Sequence, residues 1–157
     1  MVDIQVGGKL SSDAEKVLSK VSKAEVVDLA LALCNIASPV GHEGEVLQFI
    51  YDWMAQQGFA PKKIGMLEHR YNIVGTLKGS GKGYTLLTNS HTDTTMGKDE
   101  TWIQANAADP IWNSAWRHEN LLVGYGIVND KGPLAATASA QSACVCTPMG
   151  RPRLWLL

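Results

Sequence analysis

The sequence predicts an α/β fold, layered helix–sheet–helix with a mixed sheet, and three observations point there. Apolar residues recur at helical spacing through Val26, Leu29, Ala30 and Leu33 and again through Val46, Ile50, Trp53 and Met54. From Phe59 the period shortens to that of strands. After a long polar stretch, a run of small residues from Pro133 to Ala140 returns to a helix, completing the order helix, helix, strands, crossover, helix. With 157 residues, 45% of them hydrophobic and 18% charged, the chain suits one ordinary globular domain. Within it, 1–21 reads as an N-terminal helical extension, 22–146 as the body of the domain and 147–157 as an atypical tail.

Each element has a local cause. Ser12-x-x-Glu15 and Ser22-x-x-Glu25 are capping-box patterns that start two helices. Ser38-Pro39 stops the second, because a residue before proline is pushed out of the helical region. Acidic residues in His42-Glu43-Gly44-Glu45 favour the start of a third helix through its dipole, and Gly58 caps its end. His42 and Glu43 read as a solvated helix start, since adjacent helical residues diverge by about 100°. Lys62 to Leu67, Tyr71 to Lys78 and Tyr84 to Asn89 read as strands, the last of them buried. Gly79 to Gly83 lacks the spacing and hydroxyl of a phosphate loop and reads as a hairpin turn. Thr94 to Glu119, with Trp102, Asp109-Pro110, Trp112 and Trp116, reads as a long ordered loop packed on the body. Gly124-x-Gly126 lacks the third glycine of a dinucleotide loop, Asn129 standing in its place. After Cys146, two prolines and a glycine break the last helix and leave an exposed Leu/Trp tail.

Composition excludes several classes. A net charge of −1 gives no electrostatic footprint for nucleic acid or an anionic membrane as partner. No apolar run approaches the ~20 residues of a membrane span, and Met1 to Lys9 has no signal-peptide pattern. Cys34, Cys144 and Cys146 make no disulfide framework, which fits a reducing cytoplasm. Cys144 and Cys146 have no second pair or partnering His that would make them a metal site. A serine or cysteine hydrolase lacks its Gly-x-Ser-x-Gly elbow.

The chemistry gathers at Asn89-Ser90-His91-Thr92-Asp93, just past a strand. His91 and Asp93, two apart on extended backbone, point to the same side. That suits a metal-bound imidazole with a carboxylate to orient it, and equally a polar loop whose side chains bond to the backbone.

A second stretch narrows the choice. Ser90-His91-Thr92-Asp93-Thr94-Thr95 and Gly124-Tyr125-Gly126-Ile127-Val128-Asn129-Asp130-Lys131-Gly132-Pro133-Leu134-Ala135-Ala136 together resemble the two metal-binding motifs of the co-catalytic zinc peptidases and deacylases. That group includes aminoacylase, acetylornithine deacetylase, succinyl-diaminopimelate desuccinylase and carboxypeptidase G relatives. The similarity covers roughly Ala24 to Ala143, and its departures are Ser90 and Pro133 for glycines and Tyr125 for an arginine. The resemblance implies an incomplete zinc-peptidase catalytic domain, with His91 ligating one zinc and Asp130 bridging two. Asp93 would orient His91 or tune the catalytic carboxylate. It further implies two zinc ions in the complete site, with cobalt or manganese as substitutes, and a cis peptide at Asp130-Lys131. The substrate would be a peptide or an N-acyl amino acid, and a homo-oligomer is compatible with it.

In such enzymes the remaining ligands and the general base come from segments well beyond the bridging aspartate. Two ligands leave a zinc pair short of the four each ion prefers. The expectation is therefore an N-terminal fragment, truncated or frame-shifted near Cys144, inactive on its own and a poor zinc binder. The competing expectation is a non-catalytic folded fragment or interaction module without metal, associating through an unfinished sheet edge.

Overall fold

The computed structural model describes residues 11–68, 70–78, 85–94, 114–145 and, in backbone alone, 153–156. The hairpin turn expected at 79–83, most of the tryptophan loop with Trp102, Asp109-Pro110 and Trp112, and Cys146 lie outside the described residues.

Three helices come first. In α1 (Ser12–Leu18) the cap is Ser11, whose hydroxyl accepts the Ala14 N–H, one residue before the serine the capping box indicated. In α2 (Lys23–Cys34) Ser22 accepts the Glu25 N–H at 3.4 Å, as its pattern predicts. α3 (Gly44–Gln56) buries Val46, Leu47, Ile50 and Met54. Gly58, at φ +81, turns the chain out of it.

The expectation of a solvated Glu43 is corrected. Its side chain is buried, with Oε1 accepting the Gly41 N–H at 2.8 Å and Oε2 lying 3.5 Å from Arg70 Nε. The turn through Pro39 and Gly41 folds the carboxylate back beneath the first turn of α3 instead of leaving it in water. The Gly41 N–H satisfies Oε1, while Oε2 makes no hydrogen bond among the described residues and has the Arg70 guanidinium nearby to offset its charge.

Strands β1 (Ala60–Leu67) and β2 (Arg70–Leu77) pair antiparallel, and β3 (Leu86–Asn89) follows. β4 (Ala115–His118) and β5 (Leu121–Gly124) form a separate hairpin around Glu119-Asn120. The expected loop to Glu119 is thus four strand residues too long. Ala115-Trp116 and Arg117-His118 find hydrogen-bonding partners in the apolar run that follows, and pairing overrides their weak periodicity. A π-turn (Ile127–Lys131) leads into α4 (Gly132–Val145).

Where the sequence reads a tail, the backbone of residues 153–156 forms a last strand, β6 (Arg153–Leu156). It sits between β2 and β3, antiparallel to the first and parallel to the second, in the order β1-β2-β6-β3. Aliphatic and aromatic residues at 154–156 carry strand propensity that the preceding prolines mask in the sequence. The sheet is mixed, as expected.

The expectation of a buried strand at β3 is corrected. Among the described residues it pairs with β6 alone, and Leu86 and Leu87, which face opposite ways along the strand, are 51% and 53% exposed. One core joins the elements: Leu29, Ala30 and Leu33 of α2, the buried face of α3, Phe59, Ile73 of β2, and Leu134, Ala135 and Ala138 of α4. The small residues of α4 let it lie close against α2. Among the described residues no helix is long and apolar enough to cross a membrane.

Candidate metal centre

Two turns meet at the end of β3. The first carries Ser90 to Thr94, and the second is the π-turn with the glycines before it. Gly126 has φ +80, and a Cβ there would come within 2.5 Å of Thr94 Cγ2, so the two turns touch where only glycine fits. At Gly132 a Cβ would lie 2.1 Å from the Ile127 carbonyl oxygen, so this glycine lets α4 start directly from the π-turn.

The polar contacts between the turns are specific. His91 Nε2 lies 2.9 Å from Asn129 Oδ1. On the other side of the ring, Nδ1 lies 3.2 Å from both the backbone oxygen and Oδ1 of Asp93. Ser90 Oγ–H donates to Asp130 Oδ2. Partial burial works against the charged imidazole, but the Asn129 side chain and the Asp93 and Asp130 carboxylates outweigh it and raise the His91 pKa. With acceptors facing both nitrogens, the ring is arranged as a double donor.

The structure thus places His91, Asp93 and Asp130 in one neighbourhood, with Asp93 against the His91 ring. It also corrects one expectation: the cis peptide is Asn129-Asp130, one bond earlier than Asp130-Lys131. The Lys131 N–H instead closes the π-turn on the Gly126 carbonyl at 3.0 Å, a bond made by an ordinary trans unit of a helical turn. The motif reading passed over Asn129, Ser90 and Lys131. Asn129 was legible only as a missing glycine, and Ser90 only as a departure. Lys131 is 1% exposed, and its Nζ donates to the Ile36 carbonyl at 2.7 Å. Burial lowers its pKa to about 8, opposed by the neighbouring Cys34.

An open cleft of about 740 Å³ runs from His91 and Asp93 past Asn89 to Glu43, Arg70 and Asn72. A reacting group could reach the imidazole from that side. Chemically, an imidazole and a carboxylate are suitable zinc donors, yet the set is short. Among the described residues no three His, Cys, Asp or Glu side chains are arranged to hold a metal ion. For His91 to ligate, one ring nitrogen must also give up Asn129 or Asp93. These residues alone therefore do not complete a zinc site, and they fit one only as part of a larger donor set.

No protein-family model matches the chain. Solved structures do. Human carnosine dipeptidase 1 superposes with a TM-score of 0.72 at 15% identity, over 95% of this chain and 35% of that one. Aminopeptidase PepT from Bacillus cereus gives 0.67 at 16% identity, over 87% of this chain and 36% of its own. An M20 family metallo-carboxypeptidase from Sulfolobus solfataricus gives 0.64 at 14% identity, over 86% of this chain and 30% of its own. The chain spans about a third of the length of the structures it matches. Its fold is that of part of a group of dipeptidases, aminopeptidases and metallo-carboxypeptidases, the kind of protein its two motifs resemble.

Proposed function

We propose that the chain is part of a metal-dependent hydrolase of amide bonds in peptides or N-acyl amino acids, to which it contributes His91 and Asp130 as zinc donors. The observation that carries this reading is the contact between the two motif turns: His91 meets Asn129 on one, and Ser90 of the same turn meets Asp130. Asp93, against His91 Nδ1, would orient the imidazole and raise its basicity. Zinc, when bound, lowers the pKa of a water and polarises the scissile carbonyl. The cleft beside His91 would admit the substrate. Two donors do not hold a zinc pair, so we propose that the chain alone binds zinc weakly and hydrolyses no amide, the rest of the site coming from elsewhere.

Titrating the purified chain with zinc while following amide and imidazole NMR signals tests this. Changes confined to His91, Asp130 and their neighbours are expected, without saturation at micromolar zinc. Micromolar affinity together with hydrolysis of dipeptides or N-acetyl amino acids would overturn the incompleteness.

A second reading, a folded module without metal, is favoured by one observation: both His91 ring nitrogens already face acceptors. A chain whose His91 signals ignore zinc altogether would support it.

A further inference from the structure

Five hydrogen bonds converge on the short link between α2 and α3. Asn35 Oδ1 accepts the Ala115 N–H at 2.9 Å, and its Nδ2 donates to the Ala115 carbonyl at 3.2 Å, gripping the start of β4. The Ile36 carbonyl accepts Lys131 Nζ at 2.7 Å. Ser38 Oγ–H donates to the Thr92 carbonyl at 2.6 Å, and the Ser38 carbonyl accepts the Thr94 N–H at 3.0 Å. Ser38 is fully buried, and Thr92 and Lys131 nearly so.

We infer that the Asn35–Ser38 link is a brace that sets the spacing between the His91 turn and the Asp130 turn, with Ser38 and Lys131 as its positioning residues. Buried hydrogen bonds are costly to leave unmade, so Ser38 and Lys131 hold their partners more firmly than exposed ones would. The turns also touch directly: a Cβ on Gly126 would meet both Thr94 Cγ2 and Lys131 Cδ, so movement of one turn is felt by the other. None of its residues lines the cleft beside His91. It reaches the two turns through the Ser38 hydroxyl and the Ile36 and Ser38 carbonyls, so neither motif includes it.

The brace bears on metal only if the proposed zinc reading holds, so its test uses no metal. Hydrogen exchange of the Thr94 amide is followed by NMR in the whole chain, in wild type, Ser38→Ala, Ser38→Cys and Lys131→Met. Loss of one buried hydrogen bond corresponds to about tenfold in a local opening equilibrium. Ser38→Ala is expected to speed Thr94 exchange about tenfold while the Leu33 and Ile50 amides stay within about twofold. Ser38→Cys, whose thiol is a weak donor, should fall between, and it carries the test if Ser38→Ala does not fold. Lys131→Met, unaltered at Ser38, should speed Thr94 as well, because one link holds both turns. Unchanged Thr94 exchange in the Ser38 or Lys131 variants, or equal acceleration of Thr94, Leu33 and Ile50, would overturn the brace. Wild-type chain that ignores zinc yet shows the selective Thr94 effect leaves the brace standing and removes only the zinc reading.

Discussion

His91 Nε2 and Asn129 Oδ1, 38 residues apart in the chain, face each other at 2.9 Å and join the turn after β3 to the turn before α4. The Asn129 side chain is the largest of the influences that raise the His91 pKa. In Asn129→Ala, an NMR titration of the His91 ring should give a lower pKa than in wild type, moving toward the ordinary imidazole value. An unchanged titration would mean that the Asp93 and Asp130 carboxylates alone hold the proton.

Lys131 gives the fold a pH dependence of definite sign. Its pKa is about 8 when folded, against an ordinary value of 10.5. Below pH 8 both states hold the proton, and the cost of burying the charge is fully present. Between the two values the unfolded chain binds more protons, so the contribution of Lys131 to stability rises with pH. At about 1.4 kcal/mol per pH unit, wild type should gain about 2 kcal/mol relative to Lys131→Met between pH 8 and 9.5. Urea unfolding of both proteins at the two pH values measures it, and parallel changes would show that the ammonium is not buried.

Gly126→Ala places a side chain at φ +80 and within 2.5 Å of Thr94 Cγ2. Left-handed backbone costs a residue with Cβ roughly 1–2 kcal/mol, and the contact adds to that. A loss of about 2–3 kcal/mol in urea unfolding is expected, and a loss under 0.5 kcal/mol would contradict the close approach of the two turns.

In the core, Leu33 of α2 is 1% exposed and belongs to the cluster that also holds Leu134 and Ala138 of α4. Leu33→Ala should cost about 2–5 kcal/mol in thermal or urea unfolding. A cost near zero would place α2 outside the core.

Much of this was legible in the chain, wherever local chemistry decides the outcome. Ser22 caps α2 because its hydroxyl needs only an amide three residues on. The strands near Ile64 and Ile73 follow from their apolar residues, and the His91 and Asp93 side chains do share one side. What escaped depends on partners distant in sequence. Glu43 looks solvated until Arg70 and the Gly41 N–H come back to it. Residues 153–156 look like a tail until β2 and β3 offer free edges on both sides. Leu86 and Leu87 look like a buried strand, yet among the described residues nothing covers them and both stay about half exposed. Asn129 and Ser38 carry no motif signal, since the side chain of each acts through one hydrogen bond across the fold.

We propose that His91 and Asp130 act together on one metal ion. Zinc titration followed by NMR in wild type, His91→Ala, Asp130→Ala and the double variant tests it most directly. Weak, site-confined shifts are expected in wild type, lost in either single variant and no further reduced in the double one. Shifts that persist undiminished in both single variants, or that centre on other residues, would contradict it.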